Sequence, residues 1–441
     1  MSLTAIALLM VLAVIIFFFL GHPLAFVLGG VGTIFGFFML GPGFFATFMD
    51  RIFVGIMSNF TYVAIALFIF MGNLLTLSGI ADRLFESLRY FIGSIRGGLG
   101  IAVLAVCIVL AASIGIVGAS VVTVGLLTGP MLLRYGYQKE LAMGIVAAGG
   151  TLGIMIPPSI MLLVMGDNAG LPITHVLAAA VVPGFFIGVL YMLYVRVRCG
   201  LHPELGPPIP ADEMAMMSFG DRLMDFVIYS LLPLALIIGV IAAIFFGYAS
   251  PTQAAGLGAT VAFILVLMYR RFTWQNFLAT LYQTAKASTM VMIIMVGASC
   301  FTGIFLGMGG GKAVVETLTS IGLGKWGLFF IMMISLVILG CFVDWVGLIF
   351  LTFPIFLPIA RLMGFDMVWF VIMMAMYLQI SFLIPPFGYA LFYLAGMKIE
   401  GIRWGHIYRG VLPFLIIQII GVLIFTSFPQ LVLFVPMILY G

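Results

Sequence analysis

Long apolar runs, many close to the length of a bilayer crossing, follow one another down nearly the whole chain. They lie at about 3–20, 22–40, 58–80, 99–118, 119–133, 141–165, 175–195, 224–246, 252–268, 277–308, 326–340, 345–360, 367–396 and 409–428. A helix needs roughly 20 apolar residues to cross a hydrocarbon core, so the pattern predicts an all-α protein that crosses the membrane repeatedly. Several runs are too short, or too broken by proline and glycine, to be simple crossings. Two segments, 81–97 and 311–323, mix charged and apolar residues at helical spacing, which predicts helices lying in the interface plane; these are the two arms. The longest polar stretch, Arg196 to Arg222, carries Pro203, Pro207, Pro208 and Pro210 and divides the chain nearly in half, as a linker between repeats does.

Composition makes lipid the main solvent. With 64% apolar and 7% charged residues, against roughly a quarter charged in globular chains, no soluble surface can be covered. The net charge of +4 is spread over many loops and bears on membrane orientation, not on nucleic acid. Cys107, Cys199, Cys300 and Cys341 are far apart and form no CxxC, which argues against a transition-metal or redox site. His22, His175, His202 and His406 are scattered without HExxH spacing. No nucleophile and base can be read together, so an enzyme finds no support and no cofactor is expected. Residues 1–20 have no basic start and no small-residue cleavage site before His22-Pro23, so they are expected to stay as a first helix.

The two halves resemble each other. Gly118-Ala-Ser-Val-Val-Thr-Val-Gly-Leu126 aligns with Gly340-Cys-Phe-Val-Asp-Trp-Val-Gly-Leu348, 222 positions on, and Ile156-Pro157-Pro158 with Ile384-Pro385-Pro386, 228 positions on. Two landmarks in one order predict an internal repeat. Lysine and arginine in short loops stay cytoplasmic. With a periplasmic N-terminus and segments 99–118 and 119–133 folded as a hairpin, thirteen basic residues fall on the cytoplasmic side. Arg51, Lys312, Lys325 and Arg361 fall opposite, and Lys286 lies in a span near its cytoplasmic end. The second hairpin, 326–340 and 345–360, then enters from the periplasm, and the repeats are inverted.

Each double proline interrupts a stretch otherwise long enough to span. Proline removes a backbone donor, clashes with the preceding turn and pushes the residue before it out of helical geometry. The freed carbonyls are costly in hydrocarbon, so such a break persists where it lines a cavity or packs against protein. Broken helices at matched positions of two repeats point to a transporter's binding site, half-helix N-termini facing anions and freed carbonyls facing cations. Each break is expected to meet the hairpin tip of its own repeat: Gly118 to Thr123 with Gly153 to Ser159, and Gly340 to Asp344 with Ser381 to Gly388. Asp344 is the main acid at the expected midplane. It either holds an ion or caps a half-helix. A proton relay uses several intramembrane acids or histidines, and their scarcity here favours Na⁺. An ion channel would need a charge ring or a carbonyl-lined path, and no charge ring is present.

Gly149-Gly-Thr-Leu-Gly-Ile-Met-Ile-Pro-Pro-Ser159, Ala249-Ser-Pro-Thr-Gln-Ala-Ala255 and the Ile402 to Pro413 region resemble the large membrane subunit of tripartite ATP-independent periplasmic (TRAP) transporters. The resemblance covers nearly the whole chain. It implies a Na⁺-driven elevator in the inner membrane of a bacterium or archaeon. It also implies a small four-helix membrane partner and a soluble periplasmic protein that delivers an organic anion, typically a carboxylate. A binding-protein-independent Na⁺/carboxylate symporter of similar architecture is the alternative. The implied division is 1–97 scaffold and first arm, 98–195 first transport half, 196–223 cytoplasmic linker, 224–325 scaffold and second arm, and 326–441 second transport half. The implied Na⁺ sites are Gly118, Ser120, Gly153, Ile156 and Pro158, and Gly340, Asp344, Ser381, Ile384 and Phe387. Substrate is expected near Ser120, Thr123, Ser159, Asp344 and Gly388. This chain departs from the family where Val117 and Ala119 flank Gly118 in place of serines, and where Ile384 stands in place of threonine.

Overall fold

The computed structural model describes residues 3–114, 117–210, 212, 219–320 and 322–441, and they are helical almost throughout. The first half contains α1 (Leu3–Phe19), α2 (Leu24–Leu40), α3 (Phe44–Ile52), α4 (Thr61–Leu77) and α5 (Ile80–Ile92). It continues with α6 (Gly98–Ile114), α7 (Val117–Arg134), α8 (Lys139–Thr151), α9 (Ile160–Ala169) and α10 (Ile173–Leu201). The second half contains α11 (Phe219–Phe226), α12 (Leu232–Phe245), α13 (Pro251–Met268), α14 (Trp274–Gly307) and α15 (Gly310–Ser320). It ends with α16 (Lys325–Gly340), α17 (Trp345–Leu362), α18 (Met367–Ser381), α19 (Tyr389–Gly396), α20 (Trp404–Ser427) and α21 (Pro429–Tyr440).

Among the described residues six stretches are long and apolar enough to cross a membrane: Leu24–Met57, Ile173–Leu201, Pro251–Met268, Trp274–Gly307, Trp345–Leu362 and Trp404–Ser427. The first of them turns at Gly41, where φ is +63°. The pattern had missed α3, because its arginine and aspartate interrupt the apolar run, and α21, because Pro429 opens it past the last expected span. The two segments expected as arms are helical, as α5 and α15. Helix starts follow the local sequence. Ser250 and Gln253 form a reciprocal capping box on α13, and Asp366 accepts from the Trp369 N–H at 2.8 Å to start α18.

Two helical hairpins are evident from their open ends. The Tyr137 hydroxyl, just past α7, accepts from the Gly100 N–H at the start of α6, at 3.2 Å. Lys325, which opens α16, donates from Nζ to the Gly364 carbonyl just past α17, at 2.9 Å. The first turn lies earlier than expected. α6 ends at Ile114 and α7 begins at Val117, so Gly118 to Thr123 are helical and the junction lies outside the described residues. The matched positions explain this shift. Asp344 starts α17 by accepting from the Val346 N–H at 3.2 Å, whereas its counterpart Val122 has no acceptor to stop a helix. The first part of the polar middle segment, up to Ile209, is pinned: Gly206, Leu205 and Ile209 bond to Gly97, Gln138 and Gly93 at 2.9–3.0 Å.

Candidate functional site

The candidate site is built from two interruptions. A continuous helix aims each N–H at the carbonyl four residues earlier, so Pro157 and Pro158 remove the donors for Gly153 and Ile154, and Pro385 and Pro386 those for Ser381 and Phe382. The chain breaks at both places, between α8 and α9 and between α18 and α19, and both Pro-Pro bonds are cis. The carbonyls nearest the following half-helix find new partners. Ser159 donates from Oγ to the Ile154 carbonyl at 2.6 Å and accepts from the Leu162 N–H at 3.4 Å, which caps α9. The Ala390 N–H supplies the Phe382 carbonyl at 3.1 Å.

The remaining pair is left over. Ile156 donates past Gly153 to the Leu152 carbonyl at 3.2 Å, so no backbone donor among the described residues reaches the Gly153 carbonyl. At the matched Ser381 carbonyl the one partner among the described residues is the Cys341 thiol, at 3.9 Å. Both residues are buried. These two oxygens are the main-chain groups that a buried cation would satisfy.

The second hairpin tip sits directly on its break. A Cβ at Gly340 would collide with the Ser381 side chain, and the Phe342 and Phe387 rings lie 4.9 Å apart. Gly388 is required at the turn, since a Cβ there would come within 2.6 Å of the Phe382 carbonyl. Asp344 is only half-buried and caps α17. Ile384 is half-buried and has its carbonyl occupied by the Gly388 N–H at 2.8 Å.

The first hairpin is arranged differently. Its α7 lies against α8, with the Val121 backbone 2.9 Å from where a Gly150 Cβ would stand. The neighbouring Ser120 hydroxyl is buried without a hydrogen-bond partner. Gly118, however, packs on the Tyr393 ring of α19, at 2.6 Å from a would-be Cβ. Thr123 is half-buried one turn on, while Ile156 and Pro158 are buried in the break. Ser159 spends both functions of its hydroxyl on the backbone, which makes it a stitch of the break rather than a free ligand.

Three residues that the sequence reading passed over belong here. Tyr389 and Tyr393 bring their hydroxyls to 3.3 Å, and the Asp344 carboxylate lies within electrostatic reach of Tyr389. α19 therefore packs against the first hairpin at Gly118. A cavity of about 590 Å³ opens between α7 and α19, lined by Val122, Leu126, Tyr389, Phe392, Tyr393 and Met397. Gln379, two residues before Ser381, is fully buried with neither amide atom bonded. Its signal was available: it is the single carboxamide in the apolar run 367–396.

Residues 9–431 match the family model described as "Tripartite ATP-independent periplasmic transporter, DctM component". The chain belongs to this family. It is 30% identical over 379 residues to the C4-dicarboxylate TRAP transporter large permease protein DctM of Pseudomonas aeruginosa, covering 86% of each chain. It is 26% identical to the sialic acid TRAP transporter large permease protein SiaM of Vibrio cholerae, covering 96% of each, and 27% identical to the ectoine TRAP transporter large permease protein TeaC of Halomonas elongata, covering 94% of this chain. In three dimensions it resembles the Alcanivorax borkumensis YdaH transporter with a TM-score of 0.65 at 12% identity, covering 97% of this chain and 99% of that one, a likeness of fold alone. The chain is thus a multi-pass large membrane component of a TRAP transporter.

Proposed function

We propose that this TRAP component carries out Na⁺-coupled uptake of an organic anion, a carboxylate delivered by a periplasmic binding protein, together with a small four-helix membrane partner. The observation that carries the reading is the matched pair of carbonyls at the proline breaks, Gly153 without a backbone donor among the described residues and Ser381 with only the Cys341 thiol at 3.9 Å, each against a helical hairpin. A dehydrated Na⁺ takes oxygen ligands, and main-chain carbonyls freed in broken helices supply them without a buried charge. Ser120 is the side-chain candidate at the first site and Asp344 at the second. The anion is drawn to the space between the hairpins, where α19 presents Tyr389 and Tyr393.

In this reading residues 1–97 and 224–325 form the fixed part, and 98–195 and 326–441 the part that moves as an elevator between inverted repeats. The hydrogen bonds from the Asn59 amide to both Asp167 carboxylate oxygens, at 3.2 and 3.0 Å, then bridge the two parts. Relatives named for C4-dicarboxylates and sialic acid support an acid as cargo.

The test is uptake into proteoliposomes holding this chain and its small partner, with the binding protein outside and an imposed Na⁺ gradient. Accumulation that needs both Na⁺ and the binding protein is expected. Equal uptake without the binding protein would shift the reading to a self-sufficient symporter, and uptake indifferent to Na⁺ would remove the coupling ion.

A further inference from the structure

A second concavity lies far from the hairpin tips, where α14 meets α17, and it carries two guanidinium groups. It holds about 290 Å³ and is lined by Arg51, Asn168, Ser299, Thr302 and Arg361 over an apolar floor that includes Phe353 and Leu357. Its volume is near the lower end of the roughly 300–1,000 Å³ typical of small-molecule sites. Arg361 stands at the opposite end of α17 from Asp344, about 25 Å along the helix, so this place is separate from the breaks.

The local charges are unevenly matched. Of the four basic residues predicted on this face, Lys312 pairs with Glu316 at 3.8 Å, and Lys325 lies 4.3 Å from the Phe365 ring centre and donates to Gly364. Arg51 and Arg361 form no ion pair among the described residues. Arg361 donates from Nη2 to the Ala169 carbonyl at 3.1 Å, and the Arg51 stem rests on Gly303, with Cγ 3.1 Å from a would-be Cβ. The nearby acids are turned to other work. Asp167 accepts from Asn59, Asp366 caps α18, and Asp50 is exposed. Two like charges at one concavity repel each other, and an anion between them relieves that repulsion while each planar fork donates to its oxygens.

We infer that this concavity is a carboxylate site, held by Arg51 and Arg361 with Ser299 as a further hydroxyl donor. The carboxylate is either free anionic cargo or an acidic side chain of the delivering protein. The inference rests on the proposed transport only for which of these arrives. A cargo anion held here would wait on the expected entry side before reaching the hairpin tips.

The experiment places a cysteine at Ser299→Cys in the reconstituted complex and follows its modification by an anionic and a cationic methanethiosulfonate. The background is the same protein without the new thiol, since Cys341 is half-buried. In Arg51→Gln/Arg361→Gln the anionic-to-cationic rate ratio is expected to fall by about tenfold or more, the scale of counter-ion focusing in a charged cleft. Arg51→Lys/Arg361→Lys should keep the ratio, which separates loss of charge from misfolding. An unchanged ratio in the glutamine variant overturns the site.

Protection identifies the source. Slowing by millimolar succinate but not by uncharged succinamide assigns free anion, and slowing by the periplasmic protein alone assigns a protein carboxylate. Protection by neither overturns the inference. Uptake is measured in parallel: transport without anion selectivity at residue 299 sinks this site alone, and selectivity without any uptake sinks the transport reading alone.

Discussion

Asp344 illustrates how one side chain can serve both structure and ion. Its carboxylate caps α17, and asparagine caps a helix about as well as aspartate. Asp344→Asn therefore removes the charge and keeps the start of the helix. The expected outcome is an unchanged melting temperature and a Na⁺ requirement raised roughly ten- to a hundredfold, as fits loss of a charged hydrogen-bonding partner worth about 1.5–3 kcal/mol. An unchanged Na⁺ titration of uptake would take Asp344 out of the ion site. Ser159 is the contrasting case, because its hydroxyl is consumed by Ile154 and Leu162. Ser159→Ala is expected to cost about 1–3 kcal/mol by leaving a buried carbonyl unpaired, seen as a lower melting temperature of the purified complex. The same stability in both proteins would show that the break does not depend on this stitch. Asp344 was recognisable in the sequence as a lone acid in an apolar region. Tyr389 and Tyr393 were not, since tyrosines at helical spacing read as ordinary packing until α19 is seen packed on the first hairpin, with the Tyr393 ring against Gly118.

At the scale of elements, the double prolines and the glycine contacts do the deciding. Replacing Pro157-Pro158 by Ala-Ala returns an N–H to the Gly153 carbonyl and permits α8 to run on into α9. The prediction is loss of Na⁺-dependent thermal stabilisation and of uptake without loss of helix content, and retained Na⁺ stabilisation would contradict it. Gly340→Ala pushes the hairpin off its break by collision with Ser381, and overpacking of this kind costs about 1–3 kcal/mol. Ser381→Gly on top of Gly340→Ala should recover most of that loss in thermal unfolding, because it removes the atoms that collide. The breaks were plain from the sequence, since proline chemistry is local. The first hairpin tip, expected at Gly118 to Thr123, lies within α7, because similarity between two segments does not say which of them can stop a helix. Asp344 can, and Val122 cannot.

For the whole molecule, close helix crossings hold the halves together. Gly144 of α8 and Gly410 of α20 meet backbone to backbone, where a Cβ on Gly144 would overlap the Gly410 carbonyl and a Cβ on Gly410 the Glu140 carbonyl. α14, about 50 Å long at 1.5 Å per residue, packs against α2, α4 and α17 and so touches both the proposed fixed and moving parts. If those parts slide, the Asn59 to Asp167 contact must open in each cycle. Cysteines at both positions, joined by a short reducible cross-linker, are expected to stop uptake until the linker is cleaved. Full uptake by the cross-linked protein would mean that these surfaces stay together during transport.

The solvent, the helical content and the places where helices must break were all legible along the chain, because hydrophobic length and proline's missing N–H act within a few residues. The sequence also carried the family likeness, through strings such as Gly-Thr-Leu-Gly and Pro-Pro-Ser. Packing in three dimensions settles which freed carbonyls lack a backbone donor, that Gly118 faces α19, and that Arg51 and Arg361, 310 residues apart in the chain, share one concavity. Those facts depend on how distant helices pack, and side-chain contacts across such separations leave no periodic trace in a single chain.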